Sequence, residues 1–204
     1  MAQNPENSWW PQQGDTLFTS GIDWESQALV DVSWGAFLKY ALGYKEAADS
    51  VVAAVEARSL AADLAVYPVC FLYRHYIELM LKVLIGLGSR FQDQIVEIPK
   101  HHRLRDLWET CRPLLESACP EGDASDTKIV ELCIKEFASL DPSGEAFRYG
   151  GDKKGNPSFD KQRQFSLTHM RDVMGRLAGF FEGSYDYMSE LMQYQADVDS
   201  EARW

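Results

Sequence analysis

Four ionisable side chains interrupt an otherwise apolar run in the middle of the chain. In VYPVCFLYRHYIELMLKVLIGLG, Val66 to Gly88, they are Arg74, His75, Glu78 and Lys82. At about 100° per residue on a helix they fall within an arc of roughly 100°, a single polar stripe on an apolar rod. Burying charge is costly unless it is paired, so the stripe must either satisfy itself or line a cleft. In a cleft, Arg74 and His75 suit phosphate chemistry, with Glu78 fixing the arginine. Imidazole exchanges a proton near neutral pH, and guanidinium grips an anionic oxygen with two donors. The same residues also fit a closed ladder, Arg74 to Glu78 to Lys82 at i, i+4 spacing, that neutralises itself inside a bundle.

Two further clusters carry charge of the right kind. KHHRLRDLW, Lys100 to Trp108, places Lys100, His101, His102, Arg103 and Arg105 around a helix start, whose free N–H groups already favour anions. The alternative is a solvated helix start with no ligand. Two adjacent histidines on a helix point about 100° apart, which disfavours one metal ion using both. In FRYGGDKKGNPSF, Phe147 to Phe159, Arg148 lies between Phe147 and Tyr149, which would hold it by packing and stacking, with Lys153 and Lys154 on the following turn. Arg148 reads equally as a structural arginine reaching a bundle carboxylate such as Glu78. The glycines there lack the Gly-Lys-Ser/Thr ending of a phosphate loop. No GxSxG, HExxH, GxGxxG or CxxC occurs, so no hydrolase elbow, zinc protease, dinucleotide or redox signal is present.

The elements that must position these residues follow from periodicity. Apolar residues from Phe37 to Val55 recur at helical spacing behind Ser33 as an N-cap. A second helix opens at Ser59, contains the charged stripe and stops at Gly86 and Gly88. If Pro68 only kinks it, Asp63 and Tyr67 extend the stripe. A third helix runs from Leu104 to Leu115. A fourth, capped by Asp126, carries Ile129, Val130, Leu132, Cys133, Ile134 and Phe137. A fifth keeps near-heptad spacing from Leu167 to Met192. The turn-rich stretch 141–160 predicts a hairpin, with AFRY as a short extended piece. The expected fold is all-α: a bundle of about five main helices, residues 31–194, with a small hairpin-like insertion before the last helix. An aromatic arm, residues 1–30, precedes it with Trp9, Trp10, Phe18 and Trp24, and an acidic tail, residues 195–204, follows.

The chain has 204 residues, 46% of them hydrophobic, enough for one core. A formal net charge of −11 disfavours general attraction to nucleic acid or anionic membrane and leaves such binding to a local basic patch. Cys70, Cys111, Cys119 and Cys133 fit no zinc template and read as reduced core thiols, so no metal or other cofactor is expected. No signal peptide or membrane span is read, and a cytoplasmic protein is expected.

Taken together, the FLYRHYIELMLK helix, the HHRLRDLW helix start, the AFRY turn and the long closing helix resemble the HEPN superfamily over roughly Ser33 to Met192. That resemblance implies an all-helical, usually homodimeric domain of prokaryotic toxin–antitoxin or antiphage systems. Its active members share an Arg, four to six residues, then a His, which cuts RNA without metal. Arg148 stands at the family arginine, but 153–155 hold Lys153, Lys154 and Gly155, while Arg163 and His169 satisfy the spacing at the entry to the last helix. The implied motif is therefore degenerate or displaced. Any cleavage would use His75 or His102 as base and Arg74 or Arg148 on the phosphate. Lys82, His101, Arg103, Arg105, Lys153 and Lys154 would bind the RNA or nucleotide. The competing expectation is a non-catalytic interaction or dimerisation module with a structural Arg–Glu network, in which the aromatic arm docks a protein partner.

Overall fold

A computed structural model describes residues 11–18, 25–30, 36–95, 97–151 and 154–201. The chain divides into two compact units, Met1–Ser33 and Trp34–Trp204. In the first, Leu17, Phe18, Leu29 and Val30 are exposed. Trp9, Trp10 and Trp24 of the aromatic arm, the proposed cap Ser33, and Lys153 lie outside the described residues.

Among the described residues the second unit is an all-α bundle of five helices: α1 Ala36–Glu56, α2 Ala62–Phe91, α3 Leu104–Ala118, α4 Ala124–Leu140 and α5 Leu167–Glu201. The axis is α2, whose buried set runs almost unbroken from Val69 to Ser89, because α1, α3 and α5 all pack against it. Each neighbour contributes one apolar stripe: Ala41, Ala48 and Val52 from α1, Leu104, Leu107, Cys111 and Leu115 from α3, and Met174, Leu177, Phe181 and Met188 from α5. An apolar face at helical spacing is sufficient for a helix that covers a core on one side. Helix α4 packs against α3.

Several local expectations are corrected. Helix α2 does not stop at Gly86 and Gly88 but runs to Phe91. Gly88 serves packing instead: a Cβ there would lie 2.7 Å from the Cβ of Leu114 and 3.2 Å from Cε of Met188. Its absence lets α3 and α5 approach. Pro68 sits inside α2, yet Asp63 and Tyr67 are exposed and do not extend the buried stripe. The cap of α4 is Asp123, three residues before Asp126; its carboxylate accepts from the N–H of Ser125 at 2.7 Å. The fifth helix passes Met192 and Gln195 and ends at Glu201, so the expected tail is mostly helix.

The hairpin reduces, among the described residues, to one antiparallel bridge between Gly151 and Pro157. AFRY is a turn rather than an extended piece, because the N–H groups of Arg148 and Tyr149 both return to the carbonyl of Glu145. All four cysteines are free; Cys70 and Cys111 are buried, Cys133 is half-buried, and Cys119 is exposed rather than a core thiol. No described helix is long and apolar enough to cross a membrane.

Candidate functional site

Helix α2 sets Arg74, Glu78 and Lys82 one turn apart on a face buried beneath the lead-in to α3 and the loop after α4. Glu78 is the hub and is only 2% exposed. Its Oε1 accepts from Lys82 Nζ at 2.8 Å and lies 2.6 Å from His102 Nδ1, while its Oε2 accepts from Arg74 Nη1 at 3.3 Å. Burial works against its charge, but the hydrogen bonds from Lys82 and His102 outweigh it and hold the carboxyl below its ordinary range. Glu78 is therefore an anion at neutral pH, able only to accept.

Arg74 is enclosed. Its Nη2 donates to the carbonyl of His102 at 2.8 Å and its Nε to the carbonyl of Asp141 at 3.3 Å, with Asp141 Oδ2 also 3.3 Å from Nε. That last contact is an ion pair by distance but too misaligned for a hydrogen bond, and Oδ2 has no hydrogen-bond partner. The other oxygen, Oδ1, accepts from the N–H groups of Glu145 and Ala146 and so shapes the loop after α4. Gly144, at φ +81°, presses on the guanidinium: a Cβ there would come within 2.8 Å of Nη1. One arginine thus joins α2, the start of α3 and the end of α4. Neither Arg74 nor Lys82, whose ammonium is spent on Glu78, is open to a ligand, which corrects their expected roles as contacts. Asp141 was not anticipated; the only sequence signal was an Asp-Pro-Ser-Gly run at the end of a helical period.

The two histidines flank the same carboxylate. His102 is 62% exposed with a buried anion on Nδ1, so Nδ1 carries hydrogen and Nε2 is the nitrogen left to meet a substrate. His75 is half-buried, edge-on to Tyr44 at 4.6 Å and stacked on Phe71 at 5.7 Å, with Nδ1 4.0 Å from Glu78 Oε2. Burial lowers its pKa, and the nearby Glu78 charge only partly opposes this, so the ring is neutral at pH 7. Arg148 does not fold back to Glu78. Its Nε donates to the carbonyl of Gly144 at 2.8 Å, and its guanidinium lies 5.7 Å from the ring of Phe71 and 5.3 Å from that of Tyr149. Phe147 turns inward instead, against Phe159 and Phe165. Arg148, His75 and His102 thus form a chain of contacts through Phe71 and Glu78, with no direct bond between Arg148 and either histidine. Phe71, the link, reads in the sequence as one more apolar residue.

Most of the remaining described cations of these clusters are at the surface. Lys100, Arg105 and Lys154 are exposed, Arg103 pairs with Asp106 at 2.6 Å, and His101 Nδ1 accepts from the N–H of Arg103 at 3.4 Å. Arg103 and Arg105 border an open cleft of about 290 Å³ with Ser139 and Pro142. The displaced pair is not assembled: Arg163 bonds Asp160, while His169 lines a separate cavity with Cys70 and Cys133. Burial pushes the Cys70 thiol up to about 12, which makes it inert at neutral pH. Among the described residues no trio of His, Cys, Asp or Glu side chains gathers to hold a metal ion. The arrangement can move a proton at His102 Nε2 and place a guanidinium near an anionic oxygen. Comparisons with protein-family models, with curated proteins and with solved structures found no match.

Proposed function

We propose that this is a HEPN-like domain of a prokaryotic defence or toxin-type system that handles RNA in the cytoplasm, as a metal-independent endoribonuclease centred on His102. The carrying observation is the buried Glu78 carboxylate 2.6 Å from Nδ1 of an imidazole that is otherwise largely in solvent. A carboxylate so placed orients the ring and stabilises the imidazolium formed when Nε2 takes a proton. Nε2 would remove the proton of a ribose 2′-hydroxyl. The 2′-oxygen then attacks the adjacent phosphorus, the bond to the 5′-oxygen breaks, and water supplies that oxygen's proton. The products are a 2′,3′-cyclic phosphate and a 5′-hydroxyl. Arg148 would meet the charge growing on the phosphoryl oxygens, and Arg103 and Arg105 the neighbouring phosphates.

RNA incubated with the protein in chelator should be nicked to cyclic-phosphate ends, and His102→Ala or Arg148→Ala should abolish nicking while leaving the fold intact. RNA that stays whole at high protein concentration, or nicking that survives His102→Ala, rules the reading out. A thermal-shift series against nucleotides tests the narrower possibility of nucleotide binding.

The enclosure of Arg74, only 3% exposed and bonded to three elements, favours a second reading. In it the network is purely structural and the domain is a non-catalytic interaction or dimerisation module. Light scattering that finds a strict monomer with no partner would count against that reading.

A further inference from the structure

The flank of α4 that faces α5 opens into two cavities. One, of about 400 Å³, lies between the start of α4 and the middle of α5, lined by Leu115, Phe180, Gly183, Tyr187 and Met188. The other, of about 220 Å³, lies between the end of α4 and the start of α5. Neither is lined by His75, His102 or Arg148. Phe180 and Tyr187 are seven residues apart on α5, and Tyr194 continues the same face. From Gln193 to Glu201 every residue of α5 is exposed, Tyr194 at 69% and Val198 at 46%. An apolar face thus begins in the larger cavity and continues along uncovered helix.

Charge around the larger cavity and along α5 beyond it has one sign. From Leu177 to Glu201 the chain carries Glu182, Asp186, Glu190, Asp197, Asp199 and Glu201 and no Lys or Arg, and Pro120–Thr127 adds Glu121, Asp123 and Asp126 with no cation. A second copy presenting its own acidic α5 would meet like charge, whereas a cationic helix would meet its complement. We propose that the α4–α5 groove and the exposed end of α5 together form a docking surface for a basic amphipathic helix of a partner protein. Its apolar anchors would enter beside Tyr187 over Gly183, and its Lys or Arg residues would face Asp186 and Glu190. This surface rests on neither reading of the His102 site, so loss of ribonuclease activity and loss of docking are separable.

The test uses the full chain and three labelled peptides of about 18 residues, five helical turns: a Leu/Lys sequence with one apolar face, its scramble, and a Leu/Glu counterpart. Fluorescence anisotropy should show the amphipathic Leu/Lys peptide binding about tenfold or more tighter than the other two. Two variants should each cost about tenfold: Gly183→Leu, which fills the groove where a Cβ meets nothing within 4 Å, and the charge reversal Asp186→Lys with Glu190→Lys. Unchanged melting temperatures verify the fold. Equal binding of the scramble, no effect of either variant, or a wild-type dimer that these variants dissociate would overturn the proposal, the last by making a second copy the occupant.

Discussion

Replacing Glu78 by Gln tests the centre of this structure most directly. The substitution keeps size and one acceptor but removes the negative charge that pairs with Lys82 among the described residues, a contact of 2.8 Å to Glu78 Oε1 from a side chain 9% exposed. Arg74 would keep the carbonyls of His102 and Asp141 and the ion pair with Asp141, so it remains largely satisfied. Lys82 would not. Leaving one charge of a buried pair uncompensated costs about 3–5 kcal/mol, and the low end applies because only one cation is stranded. At roughly 2–4 °C per kcal/mol for a chain of this size, the melting temperature should fall by about 6–12 °C at pH 7. Adding Lys82→Met should restore a large part of the loss, since it removes the stranded ammonium.

The pH dependence has a definite sign. Glu78 has a folded pKa below its ordinary 4.5, so its contribution is complete above that value and is lost as pH falls through the folded pKa. The gap between wild type and Glu78→Gln should therefore be widest near neutrality and close in acid. His75, depressed below its ordinary 6.5, adds a second acid loss that begins nearer neutrality; it is present in both proteins and somewhat larger in Glu78→Gln, which lacks the carboxylate that partly opposes the depression. Thermal and urea unfolding from pH 7 down to acid measure both. A loss under about 1 kcal/mol at pH 7, within the range of an ordinary surface change, would refute the reasoning. So would failure of Lys82→Met to recover stability.

Other expectations follow from single contacts. Gly88→Ala brings Cβ against the Cβ of Leu114 at 2.7 Å, which no rotamer change relieves, and overpacking of this kind should cost about 1–3 kcal/mol in urea unfolding. Gly144→Ala should destabilise as well, since φ +81° is strained for alanine and the new methyl meets the Arg74 guanidinium; the same measurement checks it. Tyr73→Phe removes the hydroxyl that donates to Asp49 Oδ1 at 2.5 Å, and because Lys45 still pairs with that carboxylate the loss should be about 1 kcal/mol. His102→Ala should lower the melting temperature only modestly, because Lys82 and Arg74 still satisfy Glu78 when the 2.6 Å contact from the ring is lost, yet abolish RNA nicking; unfolding of the variant would assign the ring a structural role instead.

Local spacing carried most of the bundle. Five helices, four with one apolar stripe and α2 apolar nearly all round, are written in residue order, since 3.6-residue periodicity is a property of neighbouring positions. The charged stripe on α2 was legible for the same reason: Arg74, Glu78 and Lys82 pair within one helix, so their ladder needs no knowledge of the rest of the chain. Helix ends were less legible. Gly88 looks like a stop signal in a string of residues, but close approach of α3 and α5 uses the missing Cβ for packing and the helix continues.

What joined the charges across the chain was decided only in three dimensions. The loop after α4 delivers Asp141 to Arg74, the lead-in to α3 delivers His102 to Glu78, and the 144–149 turn lays Arg148 on Phe71 rather than on the carboxylate. Each contact spans more than twenty residues of sequence, and its geometry depends on how helices stack and how intervening loops close. The sequence alone therefore determined which residues could bear charge inside the bundle. Tertiary packing determined which of them were sealed away, Arg74 and Lys82, and which kept an edge in water, His102 and Arg148, because burial is set by neighbours that no local pattern names.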